Sequence, residues 1–503
     1  MPQNYVQKIL DAKIYDLVVE TPVDQAPLLS KRLNNSVLLK REDLQPVFSF
    51  KLRGAYNKLL NLSEQQLATG VVAASAGNHA QGLALAAKKM GVKATIVMPM
   101  TTPRIKVDAV RSRGAEVVLV GDNYDAAAAH ADQLVAKQGL TYIHPFDDPD
   151  VIAGQGTIGM EILRQLPDQL DAIFIAVGGG GLCAGIAAYI KQLRPEIKII
   201  AVESDDAACL DAAIKADRRV RLKQVGIFAD GTAVAQIGEE TFRLLRELVD
   251  EVITVTTDEI CAAIKDVYND TRAICEPSGA LGTAGLKKYV ETYGVENQTL
   301  LSVQCGANID FDRLRYISER TEIGEKREAV LAVTIDEKPG SFQLFCSALG
   351  RHGISEFNYR YSDAQQAHIF VGAQVSSDED RFQLVSELQS KGYEVADLTE
   401  NEMAKLHIRH MVGGRAQQVT EEQVFRFEFP ERPGALLGFL EQLGGRFNIS
   451  MFHYRNHGSA FGRVLVGLQV PQQDRCELRE FLDSLGFSYA EETDNPAYQF
   501  FLG

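Results

Sequence analysis

The last third of the chain repeats itself, and two copies of one short pattern leave few folds open. EKPGSFQLF (337–345) returns as ERPGALLGF (431–439), with Pro339 and Pro433 94 positions apart. ISEFNYR (354–360) returns as ISMFHYR (449–455), and HIFVGAQV (368–375) as RVLVGLQV (463–470), both at a spacing of 95. A one-residue slip fits a loop insertion. Each copy reads strand, Pro-Gly turn, helix, strand, strand, helix and short strand, which is a βαββαβ, ferredoxin-like α+β unit. Two copies are too few for a solenoid. They are expected to pack side by side, over residues 328–400 and 422–494, sharing a sheet or a ligand groove. A duplicated oligomerisation module is the alternative.

The remainder has another texture. From about residue 37 to 310, short apolar runs alternate with helical patterns. Residues 71–75 (VVAAS), 94–98 (ATIVM), 116–120 (EVVLV), 172–177 (AIFIAV) and 197–202 (IKIIAV) read as buried strands, and 81–90 and 124–137 as helices. Such alternation predicts an α/β domain with a parallel, doubly wound sheet, bounded here at 1–320 by the charged stretch 318–328. At 503 residues, more than one domain is expected in any case.

Charge and cysteine usage exclude several classes. With 67 acidic against 52 basic residues the chain carries −15, which argues against nucleic acid or an anionic membrane as partner. Seven scattered cysteines without a CxxC pair argue against a disulfide framework or a zinc site, and no metal is expected. Residues 1–20 read as one amphipathic helix with no signal-peptide core, and no apolar run approaches the ~20 residues of a membrane span. A cytoplasmic, soluble protein is expected.

Asp171–Ala188 reads DAIFIAVGGGGLCAGIAA: strand, four glycines, helix. Glycines there let the backbone approach a ligand, and a helix N-terminus favours an anion, most naturally a phosphate. Gly179, Gly181 and Ala184 also spell GxGxxA, with Glu203 closing the next strand, so a nicotinamide-dependent dehydrogenase competes on this segment alone. A Walker A loop fails, because no Lys-Ser/Thr follows.

The dehydrogenase reading leaves three features idle: Lys51 in FSFKLRGA (48–55), the loop SAGNH (75–79), and Cys305 closing an apolar run before Gly306. Pyridoxal 5′-phosphate would use all of them. It needs a lysine amine, a phosphate cradle, a partner for its ring nitrogen and a clamp for a substrate carboxylate. Phe48 and Phe50 would surround Lys51 with apolar groups and disfavour its ammonium form.

SFKLRGA, SAGNHAQG, AGQGTIGMEI, GGGGL, EPSGA and CGAN resemble, in this order, the motifs of fold-type-II (tryptophan synthase β-like) pyridoxal-phosphate enzymes of the threonine and serine dehydratase branch. With its paired repeats, which look like ACT-like regulatory domains, the whole chain is similar to the biosynthetic threonine deaminases. The resemblance implies that Lys51 is the Schiff-base lysine and catalytic base, and that Asn78 contacts the cofactor's ring oxygen. It makes Gly178, Gly179, Gly180, Gly181 and Leu182 the phosphate loop. Ser75, Ala76, Gly77, Asn78 and His79 become the substrate-carboxylate loop. Cys305 stands where many relatives place a serine against the ring nitrogen. A neutral thiol cannot hold that nitrogen protonated, which suits β-elimination.

Two departures bear on side activities. Racemases of the branch carry a serine just before Gly-Asn-His, and Ala76 cannot replace it as an acid or base. The divalent-cation site of those enzymes would fall on Glu203, Ala207 and Cys209, where the thiol replaces an acid, so at most a weak monovalent site is expected.

The activity implied is deamination of L-threonine to 2-oxobutanoate and ammonia, the committed step toward isoleucine, with serine as a second substrate. The repeats would bind isoleucine as inhibitor and valine as an opposing signal, with Tyr359 and Tyr454 as contacts, in a homotetramer. The competing readings are a serine-preferring dehydratase, the dehydrogenase, and an amino-acid sensor without catalysis.

Overall fold

Strands whose residues are buried on both faces, such as Val71–Ala74, Ala94–Met98 and Ala172–Ala176, can only be interior strands of parallel sheets covered by helices. The computed structural model describes residues 3–121, 124–166, 170–311, 313–324, 327–350, 352–361, 365–401, 404, 416, 419–430, 435–443, 447–455, 461–485, 487–495 and 498. It divides into two units, Met1–Thr321 and Glu322–Gly503.

In the first unit the strands are β1 (Val23–Gln25), β2 (Ser36–Arg41), β3 (Val71–Ala74), β4 (Ala94–Met98), β5 (Glu116–Leu119), β6 (Thr141–Tyr142), β7 (Ala172–Ala176), β8 (Lys198–Ser204), β9 (Glu251–Val255) and β10 (Thr299–Gln304). They form two sheets, ordered β1-β2-β10-β7-β8-β9 and β5-β4-β3-β6. Every pairing is parallel except that of the short edge strand β1 with β2. The five strands read from apolar runs all form, within about two residues of their expected ends. The first helix is shorter than expected. It covers Gln3–Leu10 and ends in a tightened turn, with the Ala12 N–H on the Ile9 carbonyl.

The helix that begins at Lys51, Lys51–Leu60, crosses the helix Pro149–Gln165 closely. A Cβ on Gly154 would lie 2.6 Å from the Arg53 carbonyl oxygen, so only glycine allows that approach. The segments that follow β3, β7 and β10 leave the carboxyl ends of their strands. That is where ligands bind in open α/β sheets.

The second unit holds β11 (Glu328–Asp336), β12 (Ile354–Arg360), β13 (Gln366–Gln374), β14 (Glu394–Asp397), β15 (Glu422–Pro430), β16 (Asn448–Arg455), β17 (Phe461–Gln469) and β18 (Ser488–Glu491). Among the described residues each repeat has two helices and contributes four strands to one antiparallel sheet, ordered β14-β11-β13-β12-β16-β17-β15-β18. The repeats therefore share a sheet, joined where β12 pairs with β16. Phe357 faces Tyr454 and Tyr359 faces Phe452, so repeat-equivalent residues meet across a local two-fold relation. The register shifts in the two copies, at Ile354/Glu356 and Ile449/Met451, also lie 95 residues apart. The turn at Pro433 lies outside the described residues.

Candidate active site

Lys51 is pinned from both sides. The Phe50 N–H donates to the Cys305 carbonyl at 3.2 Å, the Ala307 N–H donates to the Phe48 carbonyl at 2.9 Å, and Ser49 bridges to Gly306. The lysine thus starts its helix beside the chain that leaves β10. Its Nζ donates to the Pro145 carbonyl at 2.9 Å and stands 5.3 Å from the centre of the Phe50 ring. Burial lowers the amine to about 8, although Cys305 and Glu276 pull it the other way. The apolar surround is only half of that expected. Phe50 is buried, whereas Phe48 adopts a left-handed backbone (φ +57°) and is 53% exposed, because that turn aims its ring outward.

The four glycines form the turn between β7 and the helix Gly181–Leu193. Gly180 has φ +92° and caps that helix with no side-chain partner, so its first backbone N–H groups are offered to a ligand. The loop is held from behind, by the Thr241 hydroxyl on the Gly179 carbonyl (2.7 Å) and the Cys209 thiol on the Gly178 carbonyl (3.4 Å).

After β3, Asn78 opens the helix Asn78–Met90. Its Nδ2 donates to Glu276 Oε1 at 2.6 Å, and its Oδ1 accepts from Asn308 Nδ2 at 2.7 Å. Cys305 is buried and donates to the Ser278 carbonyl at 3.2 Å. Burial, then Glu276, push its thiol well above 9, so it is neutral.

Lys51, Asn78, Gly178, Gly179, Gly180, Gly181, Leu182 and Cys305 line one cavity with an empty volume of about 420 Å³. Ser75, Ala76 and Gly77 stand beside it, half-buried in the turn before Asn78. The His79 ring turns into the interior. Its Nε2 lies 2.8 Å from the Ile143 carbonyl, and burial lowers it to about 3, which keeps it neutral. Sequence reasoning gave no role to three further residues, Glu276, Asn308 and Phe146. The first two stand inside EPSGA and CGAN. Phe146 lines the cavity, with its ring occupying the space a Cβ on Gly179 would need.

Residues 14–306 match the family model for pyridoxal-phosphate dependent enzymes. Residues 319–408 and 413–502 each match the C-terminal regulatory domain of threonine dehydratase. The chain is 56% identical to the biosynthetic L-threonine dehydratase of Burkholderia multivorans, over 99% of both chains. It is 52% identical to that of Escherichia coli, over 99% of this chain and 97% of the other. The chain belongs to the biosynthetic threonine dehydratase family. Among solved structures, a processed threonine deaminase isoform from Solanum lycopersicum superposes with a TM-score of 0.63 at 51% identity, covering 63% of this chain and 93% of that one. Maize serine racemase gives 0.59 at 31%, covering 62% and 95%.

The dehydratase family is pyridoxal-phosphate dependent, and the donor set fits that cofactor. A partly deprotonated amine, a helix N-terminus without a side-chain cap and a neutral thiol face one cavity. The dinucleotide alternative fails at Glu203. That carboxylate is fully buried and accepts the N–H groups of Leu210 (2.8 Å) and Asp211 (2.9 Å), so it caps a helix and cannot reach a ribose. Among the described residues no three metal-ligating side chains cluster, and no helix is long and apolar enough to cross a membrane.

In the regulatory unit Tyr359 and Tyr454 are both buried in the apolar core. The Tyr359 hydroxyl donates to Glu337 Oε2, and Asn448 Nδ2 donates to Glu337 Oε1 at 3.1 Å. Asn448 lines a second cavity with Lys338, Phe342 and Ile449, and Phe342 packs on the Tyr359 ring at 4.9 Å.

Proposed function

We propose that the chain deaminates L-threonine to 2-oxobutanoate and ammonia, and that isoleucine restrains it through the paired regulatory repeats. Lys51 is the covalent anchor and the base, Gly178–Gly181 and Leu182 hold the phosphate, and Asn78 and Cys305 meet the ring. Pyridoxal phosphate, when bound, supplies the electron sink that acidifies the substrate's α-carbon.

In the turn Ser75–His79 the Ser75 N–H goes to the Val97 carbonyl and that of Gly77 to Ser75 Oγ, so the backbone N–H groups of Ala76, Asn78 and His79 meet the substrate carboxylate, while the His79 side chain faces away. Lys51, whose amine is lowered to about 8 and so is partly free near neutrality, takes the α-proton. The β-hydroxyl then leaves as water, and the released enamine adds water to give the keto acid and ammonia. Ala76 provides no second acid or base, so racemisation is minor. The observation that carries this reading is the single cavity in which the lowered Lys51 amine faces both the glycine turn and the neutral Cys305 thiol.

For the regulatory half, the second cavity sets Lys338 and Asn448, the latter held by Glu337, among apolar walls from both repeats, which suits the carboxylate and side chain of a branched amino acid. Tyr359 reaches it through Glu337. Tyr454, its equivalent, serves the other copy. We assign residues 328–400 and 422–494 to the two regulatory domains, valine to the opposing signal and a homotetramer to the assembly that effectors shift. Seven free cysteines fit a reducing, cytoplasmic compartment.

Side-by-side rates of keto-acid formation test the reading. Threonine should outpace serine, whose missing methyl is worth about 1–3 kcal/mol. Isoleucine should slow the enzyme at subsaturating threonine. No 2-oxobutanoate from the cofactor-loaded protein would end the catalytic proposal, and indifference to isoleucine would reduce the repeats to assembly modules.

A further inference from the structure

Glu276 is buried at the start of the helix Pro277–Tyr293, and it lines the cavity with Lys51, Asn78 and Cys305. Both of its carboxylate oxygens are engaged. Oε1 accepts from Asn78 Nδ2 at 2.6 Å, and Oε2 accepts the Asn308 backbone N–H at 3.1 Å. Asn308 closes the ring, because its Nδ2 donates both to Asn78 Oδ1 (2.7 Å) and to the Val47 carbonyl (2.8 Å).

The ring has one sense. A backbone carbonyl can only accept, so the Asn308 atom at Val47 is its nitrogen, and the Asn78 atom facing that nitrogen is its oxygen. Turning the Asn78 amide over would set donor against donor at Asn308 and oxygen against carboxylate at Glu276. Asn78 therefore keeps one hydrogen of Nδ2 for Glu276 and has the second to offer the cavity.

We propose that Glu276 and Asn308 are positioning residues that lock the Asn78 amide with its nitrogen toward the cofactor ring. This rests on the pyridoxal-phosphate site described above. The lock is conditional on charge. Burial, then Asp230, raise the Glu276 carboxyl to about 7, against Asn78, Lys106 and Asn308. Lys106 and Asp230 are themselves ion-paired at 2.7 Å. Lys51, Cys305 and Cys275 are the other titratable groups that Glu276 influences, and both thiols are neutral. A protonated Glu276 presents a donor where it must accept, and loosens the ring below neutrality.

Glu276→Gln and Asn308→Ala test this on the cofactor-loaded enzyme. The first substitution sets an amide N–H against one of the two donors that the carboxylate accepts. The second leaves Asn78 Oδ1 without its partner. Both variants should keep the visible absorbance that depends on Lys51, with a displaced maximum. In Glu276→Gln the pH dependence of that band near 7 should vanish. In Glu276→Gln kcat should fall about 10- to 100-fold, the loss of one hydrogen bond involving a charged group, and in Asn308→Ala, whose lost bond to Asn78 joins neutral groups, about 2- to 10-fold, while KM changes less than about threefold in each. Parental spectra and kcat in both variants would overturn the lock. So would a change in Glu276→Gln alone, since the ring needs Asn308. If Glu276→Gln does not fold, Asn308→Ala decides by itself. Failure of the parent to bind cofactor through Lys51 is a separate result, and would reject the site rather than the lock.

Discussion

Two lysines eleven positions apart make opposite uses of burial. Lys40 has no exposed surface, and its three donors go to the Thr21 carbonyl (2.6 Å), Glu161 Oε2 (2.6 Å) and Gln165 Oε1 (3.0 Å). Beside it Arg53 bridges Glu42 and Glu161, so two cations and two carboxylates form a closed, neutral quartet. Burial would raise the Glu42 carboxyl, but Arg53 and Lys40 outweigh it and hold it low. Among the described residues, Lys51 has one carbonyl partner and a cavity in front of it, and no carboxylate pairs with it directly. A buried amine with every donor matched holds the fold together. One left partly unmatched is available for chemistry.

Exchanging the two roles by mutation gives the largest effects. Lys51→Ala should abolish the visible absorbance of bound cofactor and lower deaminase activity at least about 10³-fold, since anchor and base are lost together. Its unfolding midpoint in urea, compared without cofactor below pH 8, should not fall beneath the parent's, because the amine it removes was poorly compensated. Retained absorbance and activity would remove Lys51 from the mechanism.

Arg53→Met should do the reverse. It leaves Glu42 and Glu161 buried with one lysine between them, and breaking a buried pair in this way costs about 3–5 kcal/mol. Denaturant unfolding followed by cofactor absorbance and far-UV dichroism measures it. Activity per folded molecule should fall far less than in Lys51→Ala. An Arg53→Met protein as stable as the parent would mean that the quartet is not what holds the Lys51 helix against Pro149–Gln165.

What could be read from the sequence follows the range of the interactions involved. The glycine turn is contiguous, and its φ > 0 position and helix start are visible in four letters. The repeats were legible because strand and helix periods are local, and their shared sheet was one of two arrangements that side-by-side packing allows. Glu276 was not legible as a site residue. An acid before Pro-Ser-Gly-Ala reads as a helix start, and its partner Asn78 lies 198 residues away. KRED (40–43) has the composition of a solvated surface run, yet all four residues are buried, because their partners arrive from the Lys51–Leu60 and Pro149–Gln165 helices and from Asp24. Phe48 misled for a similar reason. Closeness in sequence puts both rings around Lys51, whereas the positive φ at Phe48 turns its ring out.

The pH dependence of the Lys51 amine tests the same contrast with the smallest perturbation. With a midpoint near 8, the reactive free-amine fraction, and with it the rate of cofactor uptake by cofactor-free protein, should rise about tenfold from pH 7 to 9 and then level off. An ordinary lysine, at 10.5, would still be climbing at pH 10. The sign for stability follows from the same shift. Between about pH 8 and 10.5 the unfolded chain holds a proton on this lysine that the folded chain has released, so this group makes stability increase with pH over that window. Below about 8 both states hold the proton and its contribution is flat and unfavourable. Lys51→Ala should lack that rise. A loading rate that climbs unchecked beyond pH 10 would show that Lys51 is solvated like any surface amine, unlike Lys40, whose amine burial also lowers although its carboxylates oppose the shift.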